Sequence, residues 1–190
     1  MPKPSYLIKL KEIAKNNLEK EPEVAFMVSW ILWEAIRSRL LLLQCKKRGW
    51  SLKDAGEVIA LKKISNNENF KKAFKSIVGI NFLEAVSTHC KNNWHILTEI
   101  EEIRHRIFHG GVSISPKDLA CITQFILNYI DGLKSNQEDK NDLGDPFKRE
   151  KKTKISKNKD ELLYLLVVNK KEQKELSETL KSIRERICKT

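Results

Sequence analysis

Residues 21–49 read EPEVAFMVSWILWEAIRSRLLLLQCKKRG, and this stretch decides the fold. Glu21, Pro22 and Glu23 supply a helix start. Proline suits the first helical position because its missing N–H would be unpaired there anyway, and acids favour the positive end of the helix dipole. Lys46, Lys47, Arg48 and Gly49 supply the matching cationic, glycine-terminated stop. Between them Phe26, Met27, Val28, Trp30, Ile31, Leu32 and Trp33 put apolar side chains on nearly every face. The pattern predicts a central helix from Val24 to about Lys47, covered by neighbours on several sides. Glu34 and Arg37 interrupt the apolar run one turn apart and so can pair.

Outward from this helix the same periodicity recurs. Ser51-Leu52-Lys53-Asp54 has the form of a capping box and opens a short helix to about Lys63. Ser65-Asn66-Asn67 caps another, in which Phe70, Ala73, Phe74, Ile77 and Val78 form one stripe and Gly79 ends it. From Asn81 one long helical pattern passes Val86, Cys90, Trp94, Leu97, Ile100, Ile103 and Ile107, with a break placed near Lys91-Asn92-Asn93, and stops at Gly110-Gly111. Ser115-Pro116-Lys117-Asp118 starts a last amphipathic helix, Leu119 to Leu133. Residues 1–134 therefore predict an all-α bundle of four to five main helices. Residues 135–161 are polar and basic and predict a linker: Lys148–Lys159 holds seven basic residues against Glu150. Such an arm would raise affinity for a polyanion without being needed for folding. Residues 162–190 form a C-terminal amphipathic appendage. Leu162–Val168 fits a strand or a helix start, and Leu176, Leu180, Ile183 and Ile187 then share a helix face.

Composition agrees with helices: the 190 residues include only 7 Gly and 5 Pro. The net charge of +11, from 36 Lys and Arg against 25 Asp and Glu, favours a polyanionic partner or a lysine-rich solubilising surface. No apolar run approaches the ~20 residues that span a bilayer, and Met1–Lys20 lacks a signal-peptide core. Both features point to the cytoplasm and away from a membrane. Cys45, Cys90, Cys121 and Cys188 lie far apart with no CxxC pair, as expected of reduced, buried small hydrophobes. His89 and His95 are expected in the helix interior, and Trp30, Trp33, Trp50 and Trp94 in the core or at a dimer interface. No phosphate loop, dinucleotide fingerprint or nucleophile elbow occurs, and no helix-turn-helix or zinc signal supports DNA binding.

The densest functional cluster is Glu101-Glu102-Ile103-Arg104-His105-Arg106-Ile107-Phe108-His109-Gly110-Gly111. Imidazoles move protons near neutral pH, and guanidinium groups hold phosphate through a bidentate fork. Those groups suffice to cleave RNA without a metal or other cofactor. A metal reading competes, because His105 and His109 stand at i and i+4, but Arg104 and Arg106 would oppose a dication. A structural reading competes as well, with the cluster as a solvated helix end and His109 facing the negative end of the helix dipole.

Arg104-His105-Arg106-Ile107-Phe108-His109 resembles the signature of the HEPN superfamily: an arginine, a polar residue, a short spacer and a histidine. Ser29-Trp30-Ile31-Leu32-Trp33-Glu34-Ala35-Ile36-Arg37 resembles the aromatic-rich first long helix of such proteins. The resemblance covers about residues 20–134, and His105 stands where asparagine is commoner. It implies a helical bundle that dimerises through its motif-bearing face and, in many members, a metal-independent endoribonuclease. Such members recur as toxins paired with an antitoxin and as anti-phage effectors. Other members are catalytically silent modules that bind RNA, a nucleotide or a protein partner.

On that resemblance Arg104 binds phosphate and stabilises the transition state, His109 is the principal acid/base, and His105 orients or shares its role. Arg106, Lys148, Arg149, Lys151 and Lys152 add substrate affinity, and Glu34 and Arg37 support the site. On an ideal helix Arg104 and His109 point about 140° apart, so two copies of each group meeting across a two-fold axis would assemble the site.

Overall fold

The central helix forms where its start and stop signals place it, from Pro22 to Lys47, with Pro22 in the first turn and the Arg48 N–H returning to carbonyls of the last. The computed structural model describes residues 4–62, 64, 66–110, 113–134, 143–149 and 157–166, and every regular element among them is a helix. In chain order these are α1 (Pro4–Asn17), α2 (Pro22–Lys47), α3 (Leu52–Leu61), α4 (Asn67–Val78) and α5 (Phe82–Ala85). Then come α6 (Thr88–Asn92), α7 (Trp94–Phe108), α8 (Pro116–Lys134) and α9 (Lys159–Leu165). The chain is thus all-α. No helix of the described residues is long and apolar enough to cross a membrane.

Helix α2 is the axis of the bundle and packs against α1, α3, α4 and α8. Phe26, Trp30, Leu32, Trp33, Ile36 and Leu40–Leu43 are buried along it. Its cover is incomplete: Val24, Met27 and Ile31, at i, i+3 and i+7, remain exposed, so burial on every side fails along one stripe. Around Trp33 the core is aromatic, with edge-on contacts to Phe70, Trp94 and Tyr129, and Phe82 closing on Phe70 at 4.8 Å. Edge-to-face geometry sets each ring's positive edge against a neighbour's negative face.

Local chemistry explains the element ends. Ser51 accepts the Asp54 N–H at 2.9 Å while its hydroxyl donates to the Asp54 carboxylate. The same exchange joins Ser115 and Asp118 at the start of α8. Gly79 closes α4 at φ +89°, a left-handed conformation that a side chain resists. The long helical pattern expected from Asn81 divides into α5, α6 and α7: the break placed near Lys91-Asn92-Asn93 falls between α6 and α7, and a second one, not expected, separates α5 from α6. Val86 and Ser87 are extended, and the Ser87 hydroxyl caps α6 through the Cys90 N–H, a local bond that outcompetes helix continuation.

Three further expectations need correction. His89 and His95 are exposed, because the neighbouring Cys90 and Trp94 take the inward positions and one residue is ~100° of helix rotation. Cys45 and Cys90 are buried, but Cys121 lies on the outer face of α8; Cys188 falls outside the described residues. The 135–161 stretch is not merely a solvated spacer: Leu143 and Phe147 are buried, and Gln44 Nε2 donates to the Leu143 carbonyl at 2.9 Å. Downstream, the Lys157 N–H donates to the Gly49 carbonyl, Trp50 Nε1 donates to the Asn158 carbonyl, and the Lys157 ammonium sits 4.4 Å from the Trp50 ring centre. Helix α9 therefore begins before residue 162, capped by Asn158, and carries Leu162 into the core. Residues 176–187 lie outside the described residues.

Candidate functional site at the end of α7

Helix α7 presents one row inward at three- and four-residue spacing: Trp94, Leu97, Glu101, Arg104 and Phe108. Trp94 and Leu97 are buried, Glu101 and Arg104 are half-buried, and Phe108 is 48% exposed where the row passes the edge of the body. Arg104 faces α2 because the row does. Its Nη2 lies 3.0 Å from Glu34 Oε1, and its guanidinium carbon is 5.9 Å from the Trp30 ring centre and 5.1 Å from that of Phe108. Two aromatic faces and a carboxylate thus fix one edge of the guanidinium.

Glu34 is shared. Its Oε1 also accepts the Trp30 Nε1–H at 2.8 Å and stands 3.8 Å from Arg37 Nη2. Arg37 is buried between α2, α4 and α7, with Nη1 donating to Asn67 Oδ1 at 2.9 Å and pairing with Glu101 Oε1 at 3.3 Å. Burial lowers the Arg37 pKa by disfavouring its charge, and Glu101 and Glu34 oppose that shift. Asn67 is fully buried and is the hub behind the pair. Its Oδ1 also accepts from Trp33 Nε1 at 3.0 Å, its Nδ2 donates to the Leu97 carbonyl, and its backbone N–H donates to the Glu101 carboxylate.

The two histidines occupy the next face round. His105 and His109 are exposed and meet edge-on, with ring centroids 4.3 Å apart. His109 is the residue that caps α7, its N–H returning to the His105 carbonyl, and Gly110 turns the chain away at φ +71°. Among the described residues no hydrogen bond or ring contact joins Arg104 to His109, and Arg106 is exposed beside them. Nor does any group of three His, Cys, Asp or Glu side chains converge as metal ligands among the described residues.

The basic arm sits elsewhere. Lys148 and Arg149 are exposed, and the Lys148 carbonyl accepts from Arg39 Nη2. Arg39 leaves α2 about 160° round from Arg37, so this segment docks on the opposite side of α2 from the Arg37–Glu34 pair. Lys151 and Lys152 lie outside the described residues.

Asn67 was not singled out from the sequence as part of the site, and Glu101 and Trp30 stood only within quoted stretches, with no role assigned to either. A signal was present for Asn67. Asn66 and Asn67 are both cap-type residues, one cap is enough, and Asn66 takes it through the Asn69 N–H at 2.7 Å. For Glu101 the signal was its place on the inward row. No protein-family model, curated protein or solved structure matches the chain.

Proposed function

We propose that the chain is a HEPN-type, metal-independent endoribonuclease that acts as a homodimer. The observation that carries this reading is Arg104: a half-exposed guanidinium held in a built cradle of Trp30, Phe108 and Glu34, one face away from two exposed imidazoles. In the reaction one imidazole, His109, takes the proton of a ribose 2′-hydroxyl. The 2′-oxygen bonds to phosphorus, the bond to the 5′-oxygen breaks, and a second imidazole gives that oxygen a proton. Arg104 balances the charge that builds on the phosphoryl oxygens. His105 orients its ring partner or serves as the second acid. Because Arg104 and His109 face different ways on one helix, the working pair is drawn from two protomers. The exposed Val24, Met27 and Ile31 stripe beside Glu34 offers apolar surface for that contact. Arg106 adds phosphate affinity near the scissile bond, Lys148 and Arg149 engage a more distant stretch of RNA, and Lys151 and Lys152 add to substrate affinity. A toxin or anti-phage effector role, held in check by an antitoxin or other regulatory protein in the cytoplasm, fits such an activity.

Purified protein incubated with RNA in excess chelator tests the reading. The expected products carry 2′,3′-cyclic phosphate and 5′-hydroxyl ends, and His109→Ala and Arg104→Ala leave the RNA intact. A second reading, a catalytically silent module of the same fold, is favoured by the lack of contact between Arg104 and His109. Wild-type protein that binds RNA and never cuts it would establish that reading instead.

A further inference from the structure

Two buried donors on Arg37 have no hydrogen-bond acceptor among the described residues. Its Nε and Nη2 are both inaccessible and make no hydrogen bond, although Asn67 and Glu101 engage Nη1. Unpaired buried guanidinium N–H groups are costly and call for an explanation. The nearest carboxylate is Glu34, whose Oε1 sits 3.8 Å from Nη2, just beyond hydrogen-bond reach, because it is engaged by Arg104 at 3.0 Å and by Trp30 at 2.8 Å. One carboxylate therefore stands between two arginines, bonded to the half-exposed one and within an ångström of bonding the buried one.

We propose that Glu34 is an exchangeable counter-ion, which passes from Arg104 to Arg37 when a phosphate group reaches Arg104. This rests on the reading of Arg104 as a phosphate ligand and adds the device that makes it available. An arriving phosphate competes with Glu34 for the same guanidinium. A displaced carboxylate left with only the Trp30 N–H would oppose binding through its lost hydrogen bond and its nearby negative charge. Arg37 removes that penalty, since Nη2 and Nε together present a two-donor edge to the carboxylate. Asn67 pins Nη1 and so keeps that edge turned to Glu34, while the Trp30 Nε1–H holds the carboxylate as it swings. After the exchange every carboxylate still faces a guanidinium, Glu34 and Glu101 sharing Arg37, and Arg104 is left to the phosphate. Arg37 is on this account a positioning residue that acts on substrate through Glu34.

The test follows Arg side-chain Nε–H signals by NMR in the full-length protein during titration with inorganic phosphate, with chloride as the ionic-strength control. Exchange predicts that the Arg104 and Arg37 signals move together with one midpoint. Arg37→Lys keeps the charge but loses the two-donor edge. It should weaken phosphate binding and raise the KM for RNA about tenfold, the worth of one charge-assisted hydrogen bond, with kcat within about twofold. Adding Glu34→Gln to Arg37→Lys removes the competing charge and should restore KM without restoring the melting temperature, which a merely structural role for Arg37 could not do. Movement of Arg104 alone, an unchanged KM in Arg37→Lys, or a double variant as impaired as Arg37→Lys each overturns the exchange. Failure of the nuclease reading looks different: the coupled phosphate shifts persist and RNA stays intact.

Discussion

Replacing Asn67 with alanine tests whether the site rests on a buried hydrogen-bond hub. The substitution strips Trp33 Nε1 of its acceptor at 3.0 Å, takes the 2.9 Å partner from Arg37 Nη1, and leaves the Leu97 carbonyl without its 3.3 Å donor. Asn67, Trp33 and Arg37 are all essentially inaccessible to solvent, so water cannot replace the amide without opening the core. Each buried group left unsatisfied costs about 1–3 kcal/mol, and more when charged. Arg37 Nη1 keeps Glu101 at 3.3 Å, which limits its share. The sum is about 3–5 kcal/mol, a large part of the ~5–15 kcal/mol by which a typical domain is stable. For a chain of this size that corresponds to a fall in Tm of roughly 8–15 °C. Urea unfolding followed by far-UV circular dichroism reads it as a lower midpoint with an unchanged slope. Asn66→Ala is the control, since it loses only a helix cap, worth ~1 kcal/mol. The reasoning is refuted if Asn67→Ala costs less than ~1 kcal/mol, or no more than Asn66→Ala.

Further expectations concern chemistry, pH and the C-terminal segment. Arg104→Ala and His109→Ala, each inactive alone, should regain part of the wild-type rate when co-expressed as heterodimers; a monomer by sizing at micromolar concentration defeats the composite site. Thiol labelling at pH 8 should modify Cys121 quickly and leave Cys45 and Cys90 protected until unfolding, because burial raises both thiol pKa values. Burial pushes Cys45 from 9.0 up to about 12, so between those pH values the unfolded chain sheds a proton that the folded chain keeps. Its stability contribution is complete below pH ~9 and declines as pH rises, by up to ~1.4 kcal/mol per pH unit; Cys45→Ala should flatten that alkaline slope by one proton. Truncation after Lys134 removes the buried Leu143, Phe147, Leu162 and Leu166 and should unfold or aggregate the protein. Each such side chain contributes ~1.5–3 kcal/mol, and a shortened chain with wild-type urea stability would show these contacts to be dispensable.

What the sequence determined by itself was local. The Pro22 start of α2, the Ser51 and Ser115 capping boxes, the Gly79 stop and the apolar stripe of α4 all depend on residues within a few positions of one another. Such interactions are readable along the chain, and they were enough to give the all-α class and the Arg104–His109 cluster at a helix end. The pairing of Glu34 with Arg37 was legible for the same reason, being one helical turn. Tertiary structure decided the partners across the bundle. Glu34 bonds Arg104 seventy positions away, Asn67 ties Trp33 and Arg37 to α7, and Leu143 closes on Gln44 from ninety-nine positions downstream. Helical periodicity fixes which residues share a face, but not which face of a second helix lies opposite or how far round it is turned. That rotation put Arg104 against α2 and left His105 and His109 in solvent. It follows from packing the Trp33, Phe70 and Trp94 rings in the core, a condition on the whole bundle that no single stretch of sequence contains.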